Sequence, residues 1–86
     1  MSSDKTRAAV CACVAAILKE ERTKRNLSLS GLAERAGLSY QIISYIERRM
    51  RTPNLDTLLR ITDALEIDAA DVLRQARRRV QEHRSD

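Results

Sequence analysis

Residues 28–49 read SLSGLAERAGLSYQIISYIERR. Two runs with apolar residues at helical spacing, LSLSGLAERA and SYQIISYIERR, are separated there by only a glycine and a leucine. Ser28 and Ser39 stand at the starts of the two runs, where a side-chain oxygen can accept a hydrogen bond from an unpaired N–H group of the first helical turn. The stretch therefore predicts two consecutive helices with a very tight turn between them.

The turn itself is predicted from small residues. Gly37 suits a position that needs positive φ, which glycine adopts without a steric penalty. Ala33 and Ala36 are small enough to let the helices cross closely, and Leu38 is expected to fill the corner between them. Two helices joined in this way form a helix-turn-helix, predicted at about 28–48, in which the second helix enters the DNA major groove.

The second of these helices has two different faces. At about 100° per residue, Ile42, Ile43 and Ile46 fall on the inner side of the helix. A glutamine on the outer side suits DNA, because its amide group can bond N6 and N7 of adenine together. Base contacts are predicted for the hydrogen-bonding residues of this outward arc, which are Tyr40, Gln41, Ser44 and Tyr45.

Phosphate contacts are predicted at the ends of the two helices. The segment ERRMRTPN follows the second helix and supplies arginines, whose guanidinium groups suit phosphate oxygens beside the groove. A solvated helix end is the alternative explanation, because the negative C-terminal dipole also favours cations. The predicted phosphate contacts are Ser28, Ser30, Ser39, Arg48, Arg49 and Arg51.

The bulk composition agrees with an anionic partner. The chain has 86 residues, enough for one small domain predicted to span 1–86, and a formal net charge of +4. A basic chain favours nucleic acid or a membrane surface. The apolar run AAVCACVAAIL is shorter than the roughly 18 residues of a membrane span and has no cleavage site behind it. It predicts an N-terminal core helix in a cytoplasmic protein with no membrane partner.

Signals for metal binding or catalysis are missing from the sequence. Cys11 and Cys13 would point about 200° apart on a helix, so they cannot share a metal ion, and buried thiols are expected instead. His83, the single histidine, lies in a charged tail. With no glycine-rich phosphate loop either, the sequence predicts no catalytic residue, no metal, no cofactor and no small-molecule ligand.

The remaining segments are also predicted to be helical. A first helix is expected at about 6–25, a fourth after Asn54, and a fifth at about 69–83 after Asp68. Their inner faces are expected to contain Val10, Val14, Ile17 and Leu18 in the first helix, and Leu55, Leu58, Ile61, Thr62 and Leu65 in the fourth. Five helices with short connections predict a compact all-α domain.

The chain resembles the Cro/λ-repressor-type (XRE family) transcriptional regulators over about residues 10–74. The stretches that carry the resemblance are LSLSGLAERAGLS, SYQIISYIER and TPNLDTLLRITDALEIDAADVL. It implies a five-helix λ-repressor-like fold that binds double-stranded DNA and reads bases from the start of the third helix. Because the family often pairs an arginine late in helix one with a glutamate late in helix three, it also implies a partly buried ion pair between Arg22 and Glu47.

The chain departs from the family pattern at several positions. Leu29 stands where the family commonly has a glutamine that binds a phosphate or buttresses the recognition helix. Gly31 interrupts the second helix, at a cost of up to about 1 kcal/mol relative to alanine. Arg49 and Met50 replace a common glycine-containing turn, a change that adds a phosphate contact or simply alters the loop.

Homodimer formation is predicted, because one recognition helix covers only a few base pairs and discriminates poorly across a genome. A two-fold dimer would bind a pseudo-palindromic operator with half-site centres about 10 bp apart. The predicted interface contains Leu59, Ile67, Val72, Ala76 and Val80. The alternative is that the last three complete the core against helix one. The arginine run at 77–79 is more typical of a solvated face than of a DNA site.

The function that these features favour is a sequence-specific, homodimeric repressor or autoregulator. A phage-type repressor, a restriction–modification controller and an antitoxin are not distinguished by the residues. The alternative is a protein-interaction adaptor or antitoxin-type module that keeps the fold but no longer reads DNA. The arginines at 48–51 favour DNA binding, because an adaptor has no need of them.

Overall fold

The computed structural model describes residues 3–84, which form five α-helices joined by short turns. The helices are α1 (Asp4–Lys24), α2 (Leu29–Ala36), α3 (Tyr40–Glu47), α4 (Leu55–Leu65) and α5 (Ala69–Arg84). This arrangement confirms the all-α, λ-repressor-like class, and the helix bounds lie within a few residues of those predicted. Within residues 3–84, no helix combines the length and the apolar character needed to cross a membrane.

Side-chain caps determine where the helices begin. The caps of α1 to α4 are Ser3, Ser28, Ser39 and Asn54, and each accepts a hydrogen bond from the N–H group three residues later. At the start of α5, Asp68 Oδ1 accepts a hydrogen bond of 3.0 Å from Ala70 N–H. Such a cap typically stabilises a helix by about 1 kcal/mol, so local sequence sets the helix starts and the turn lengths.

The hydrophobic core is built almost entirely from aliphatic side chains. Helix α1 packs along α5, while α2 packs against both α3 and α4. The largest fully buried side chains are Ile17, Leu18, Leu32, Ile43, Ile46, Ile61, Leu65, Val72 and Thr62. Full burial of a large aliphatic side chain is worth about 1.5–3 kcal/mol, so Ile43 and Ile46 fasten α3 firmly to the rest of the domain.

The α5 residues predicted to form a dimer interface belong to this core instead. Val72, Ala76 and Val80 have exposed fractions of only 1%, 0% and 7%. Their spacing of four residues puts them on one face of α5, and that face is covered by α1. A second copy of the chain cannot reach side chains that are already covered, so this part of the interface prediction is wrong. Of the other two residues, Leu59 is exposed and Ile67 is half-buried.

Three other expectations about burial also differ from the structure. Leu55, predicted on the inner face of α4, is 69% exposed because it begins the helix beyond the edge of the core. Ile42 is only half-buried, since it lies about 100° around α3 from Ile43. Cys11 is exposed and Cys13 half-buried, because the buried residues of α1 begin only at Val14.

Candidate nucleic-acid interface

The turn between α2 and α3 has the geometry that glycine favours. Gly37 adopts φ 68° and ψ 34°, in the left-handed region. Its N–H donates to the carbonyl of Glu34 at 3.3 Å, and the Leu38 N–H donates to the carbonyl of Ala33 at 2.9 Å. A Cβ atom at this position would also lie 3.3 Å from Arg60 Nη1. That contact is with the end of a flexible side chain, which can shift, so the positive φ is what favours glycine at this turn.

Helix α3 exposes one face and buries the other. Ile43 and Ile46 are each 1% exposed, whereas the Tyr40 side chain is 52% exposed. Gln41 is also exposed. The residues predicted to contact bases lie together in an open groove of about 520 Å³, lined by Leu29, Tyr40, Gln41, Ser44, Tyr45 and Arg48. The structure therefore brings all four of them to one surface, together with Leu29 from α2.

Arg48 is oriented by an aromatic neighbour. Its guanidinium carbon lies 5.5 Å from the centroid of the Tyr45 ring, within the range of a cation–π interaction. The side chain is exposed and directly follows the last residue of α3. The ring therefore holds the positive charge at the rim of the groove, where a phosphate of bound DNA would need it.

The turn after α3 contains a second left-handed residue, and here it is an arginine. Arg49 has φ 62°, and its N–H donates to the carbonyl of Ile46 at 3.0 Å. The Met50 N–H closes the turn by donating to the carbonyl of Tyr45 at 2.8 Å. A non-glycine residue in this conformation costs about 1–2 kcal/mol, a penalty that glycine at this position would avoid. In exchange, this chain presents an exposed cation beside the groove.

Arg22 and Glu47 form the ion pair that the family resemblance implied. Arg22 Nε donates to Glu47 Oε2 at 2.7 Å, and Nη2 donates to Oε1 at 2.9 Å. The remaining Nη1 donates to the carbonyl of Leu27 at 2.7 Å. The two side chains are only 11% and 6% exposed. The hydrogen bonds from Arg22 to Glu47 raise the pKa of the guanidinium, against the opposing effect of burial. One arginine thus connects the end of α1, the loop before α2 and the end of α3.

The predicted phosphate-contacting residues occupy both ends of the helix pair. Ser28 and Ser39 use their oxygens to accept the capping hydrogen bonds, at 2.9 Å and 3.2 Å, which leaves each hydroxyl able to donate. Ser30 is exposed on the first turn of α2. Arg49 and Arg51 are exposed in the loop beyond α3.

Sequence reasoning missed an ion pair on the far side of the domain. The sequence favours a solvated face for the arginines at 77–79, but Arg79 donates two hydrogen bonds to Glu20, at 3.0 Å and 2.8 Å. These residues are 59 positions apart, so no local pattern relates them. Among residues 3–84, no cluster of three or more histidine, cysteine, aspartate or glutamate side chains is arranged to hold a metal ion.

The fold and this surface define the class of protein, a helix-turn-helix domain with a polar recognition helix. The helix-turn-helix family model matches residues 18–72, well over half of the chain. The chain therefore belongs to the helix-turn-helix family, of the Cro/λ-repressor (XRE) type. This family consists of DNA-binding transcriptional regulators and not of enzymes.

Curated relatives agree with this assignment. Two proteins, from the CDC 1551 and H37Rv strains of Mycobacterium tuberculosis, are each described as an uncharacterized HTH-type transcriptional regulator. Each is 36% identical to this chain over 52 residues, which is 60% of this chain. The match spans only 37% of the length of those relatives.

Solved structures share the same architecture. The structure of SinR, described as the master regulator for biofilm formation in complex with DNA, is 31% identical, with a TM-score of 0.66 over 70% of this chain and 97% of that one. A variant of the restriction-modification controller protein C.Esp1396I has a TM-score of 0.77 at 23% identity, covering 86% of this chain and 96% of that one. A hypothetical transcription factor from Neisseria has a TM-score of 0.69 at 22% identity, covering 79% and 75%. The last two support the fold alone.

Proposed function

We propose that this chain binds duplex DNA sequence-specifically and regulates transcription, with α3 placed in the major groove. The observation that carries the proposal is the two-faced burial of α3. Ile43 and Ile46 fix the helix from inside, while Tyr40 and Gln41 project into solvent. A short helix held this rigidly, with hydrogen-bonding side chains outward, suits the edges of base pairs.

Each side chain of the surface has a proposed role. Gln41 reads an adenine through its amide group, and Tyr40, Ser44 and Tyr45 contact neighbouring base edges or their sugars. The proposed phosphate contacts, which position α3 without reading sequence, are Ser28, Ser30, Ser39, Arg48, Arg49 and Arg51. The neighbour SinR, whose crystal structure contains DNA, supports DNA as the partner. A role on DNA also implies a cytoplasmic location.

The chain is further proposed to act as one DNA-binding unit that pairs into a homodimeric repressor or autoregulator. Two recognition helices about 34 Å apart would match successive major grooves of a pseudo-palindromic operator. The surface for pairing excludes the buried residues of α5. The exposed Leu59 and the half-buried Ile67 remain available from the predicted set.

Selection of bound duplexes from a random pool tests this function, followed by affinity measurements on the selected and scrambled sequences. Gln41→Ala should weaken binding to the selected duplex by about 1–3 kcal/mol and relax base preference at one position of each half-site. Arg49→Ala should weaken both duplexes alike and reduce the salt dependence. Gln75→Ala, at an exposed glutamine on α5, is the matched control. It should leave the affinity for both duplexes and the salt dependence unchanged.

Two results would count against the proposal. An equal loss of affinity for both duplexes in Gln41→Ala would remove the base-reading role. Failure of the wild-type chain to enrich any duplex, or to bind random DNA at low salt, would favour the protein-interaction adaptor that the fold also permits.

A further inference from the structure

The groove on the DNA-facing surface contains one side chain that the proposed function leaves without a role. Leu29 is the first residue of α2 and lines the groove beside Tyr40, Gln41 and Ser44. Its aliphatic side chain cannot donate a hydrogen bond to a phosphate. It is only half-buried, packed partly against the core and partly open to the groove.

An apolar side chain on this surface fits one feature of the major groove. The hydrogen-bonding groups of the bases match Gln41 and Ser44, and the phosphates match the arginines. The single apolar group that base pairs present in the major groove is the C5-methyl group of thymine. Leu29 and the ring of Tyr40 supply apolar surface in the same groove as the amide of Gln41. A methyl group brought there by the docked duplex would be removed from water without the loss of any hydrogen bond.

We propose that Leu29, with the ring of Tyr40, reads the 5-methyl group of a thymine in each half-site, and so acts as a specificity-determining residue. This inference rests on the proposed DNA binding and adds to it one base identity that the hydrogen-bonding residues alone do not specify. Burial of one methyl group corresponds to about a fourfold change in affinity. The effect is therefore modest, but it is confined to a single position of each half-site.

Deoxyuridine substitution isolates this interaction, because it removes only the methyl group and keeps the base pairing. Each thymine of the selected duplex is replaced in turn, and the affinity of the wild-type chain is measured by fluorescence anisotropy. We expect one thymine in each half-site at which replacement weakens binding by about fourfold. The measurement on wild-type protein needs no variant to fold.

Two variants then assign the effect to its residue. Leu29→Gln, which replaces the apolar side chain with a polar one of similar size, should bind thymine and deoxyuridine duplexes equally at that position. Leu55→Gln is the matched control, because Leu55 is also the first residue of its helix after a capping residue and is 69% exposed. This control should keep the full thymine preference.

The outcomes separate the inference from the proposed function. Tight binding of the selected duplex with no sensitive thymine, or a thymine preference that persists unchanged in Leu29→Gln, would overturn the methyl reading and leave DNA binding intact. A chain that binds no duplex would fail both.

Discussion

Two arginine–glutamate pairs connect α1 to other helices, with nearly the same geometry and very different surroundings. Arg22 holds Glu47 of α3 with two hydrogen bonds of 2.7 Å and 2.9 Å, and Arg79 of α5 holds Glu20 with two of 3.0 Å and 2.8 Å. The first pair is 11% and 6% exposed, and the second is 37% and 53% exposed. The hydrogen-bond distances therefore say little about how much each pair stabilises the fold. Water screens the Arg79–Glu20 pair and is largely excluded from the Arg22–Glu47 pair.

The surroundings also give the pairs different tasks. Arg22 additionally binds the carbonyl of Leu27, so this pair fixes the recognition helix to both α1 and the loop before α2. Arg79 and Glu20 connect two long helices that already bury Val72 and Ala76 between them. Replacing one member of the first pair leaves the other charge buried without a partner and loosens α3, whereas replacing one member of the second pair leaves a solvated charge on an intact helix interface.

The largest expected effect comes from breaking the buried pair on one side only. Arg22→Met or Glu47→Leu alone should each destabilise the fold by about 3–5 kcal/mol, because the remaining charge stays buried without a partner. The double variant should be clearly more stable than either single one. Urea unfolding of all four chains gives the coupling energy. A coupling near zero would mean that the charges are solvated in solution and that the two pairs are equivalent after all.

A smaller effect is expected for the same cycle at the exposed pair. Arg79→Met and Glu20→Leu should each cost no more than about 1 kcal/mol at low salt, with a coupling energy in the range of about 0.2–1 kcal/mol. The coupling energy of the exposed pair should fall in 1 M sodium chloride, where the screening length is only about 3 Å. The coupling energy of the Arg22–Glu47 pair should persist, because that pair is shielded from the solvent ions. If salt lowered the two coupling energies equally, the claim that only the Arg79–Glu20 pair is screened by solvent would be wrong.

The smallest effect is the pH dependence of the exposed pair. The hydrogen bonds from Arg79 hold the pKa of Glu20 below its ordinary value of 4.5. The folded chain therefore binds fewer protons at this carboxyl than the unfolded chain, so the stabilisation is complete above that value and is lost as the pH falls through the lowered pKa. The difference in thermal stability between wild type and Arg79→Met should accordingly vanish in acid. If the same difference remained once the Glu20 carboxyl is fully protonated, packing of the arginine stem would be the cause instead.

Positions whose role depends on nearby residues were predictable from the sequence. Ser28, Ser39 and Asn54 act within three residues along the chain, and each caps its helix as expected. Gly37 lies in the left-handed turn that its place between two helical runs demands. The Arg22–Glu47 pair spans 25 residues and came from the family resemblance, since no local spacing relates its members. The place of Leu29 in the groove was not foreseen, because the groove exists only once α2 and α3 have docked.

The sequence by itself determined the five helices, the tight turn at Gly37 and the two-faced pattern of α3, because capping, left-handed turns and amphipathic spacing act over a few neighbouring residues. Only the tertiary structure decided what covers each apolar face. The apolar spacing of Val72, Ala76 and Val80 predicts that one side of α5 is buried. The spacing is equally compatible with burial against α1 and with burial against a second copy of the chain. The long-range packing of α5 along α1 settles the choice, because a hydrophobic stripe carries no information about the surface that will exclude water from it.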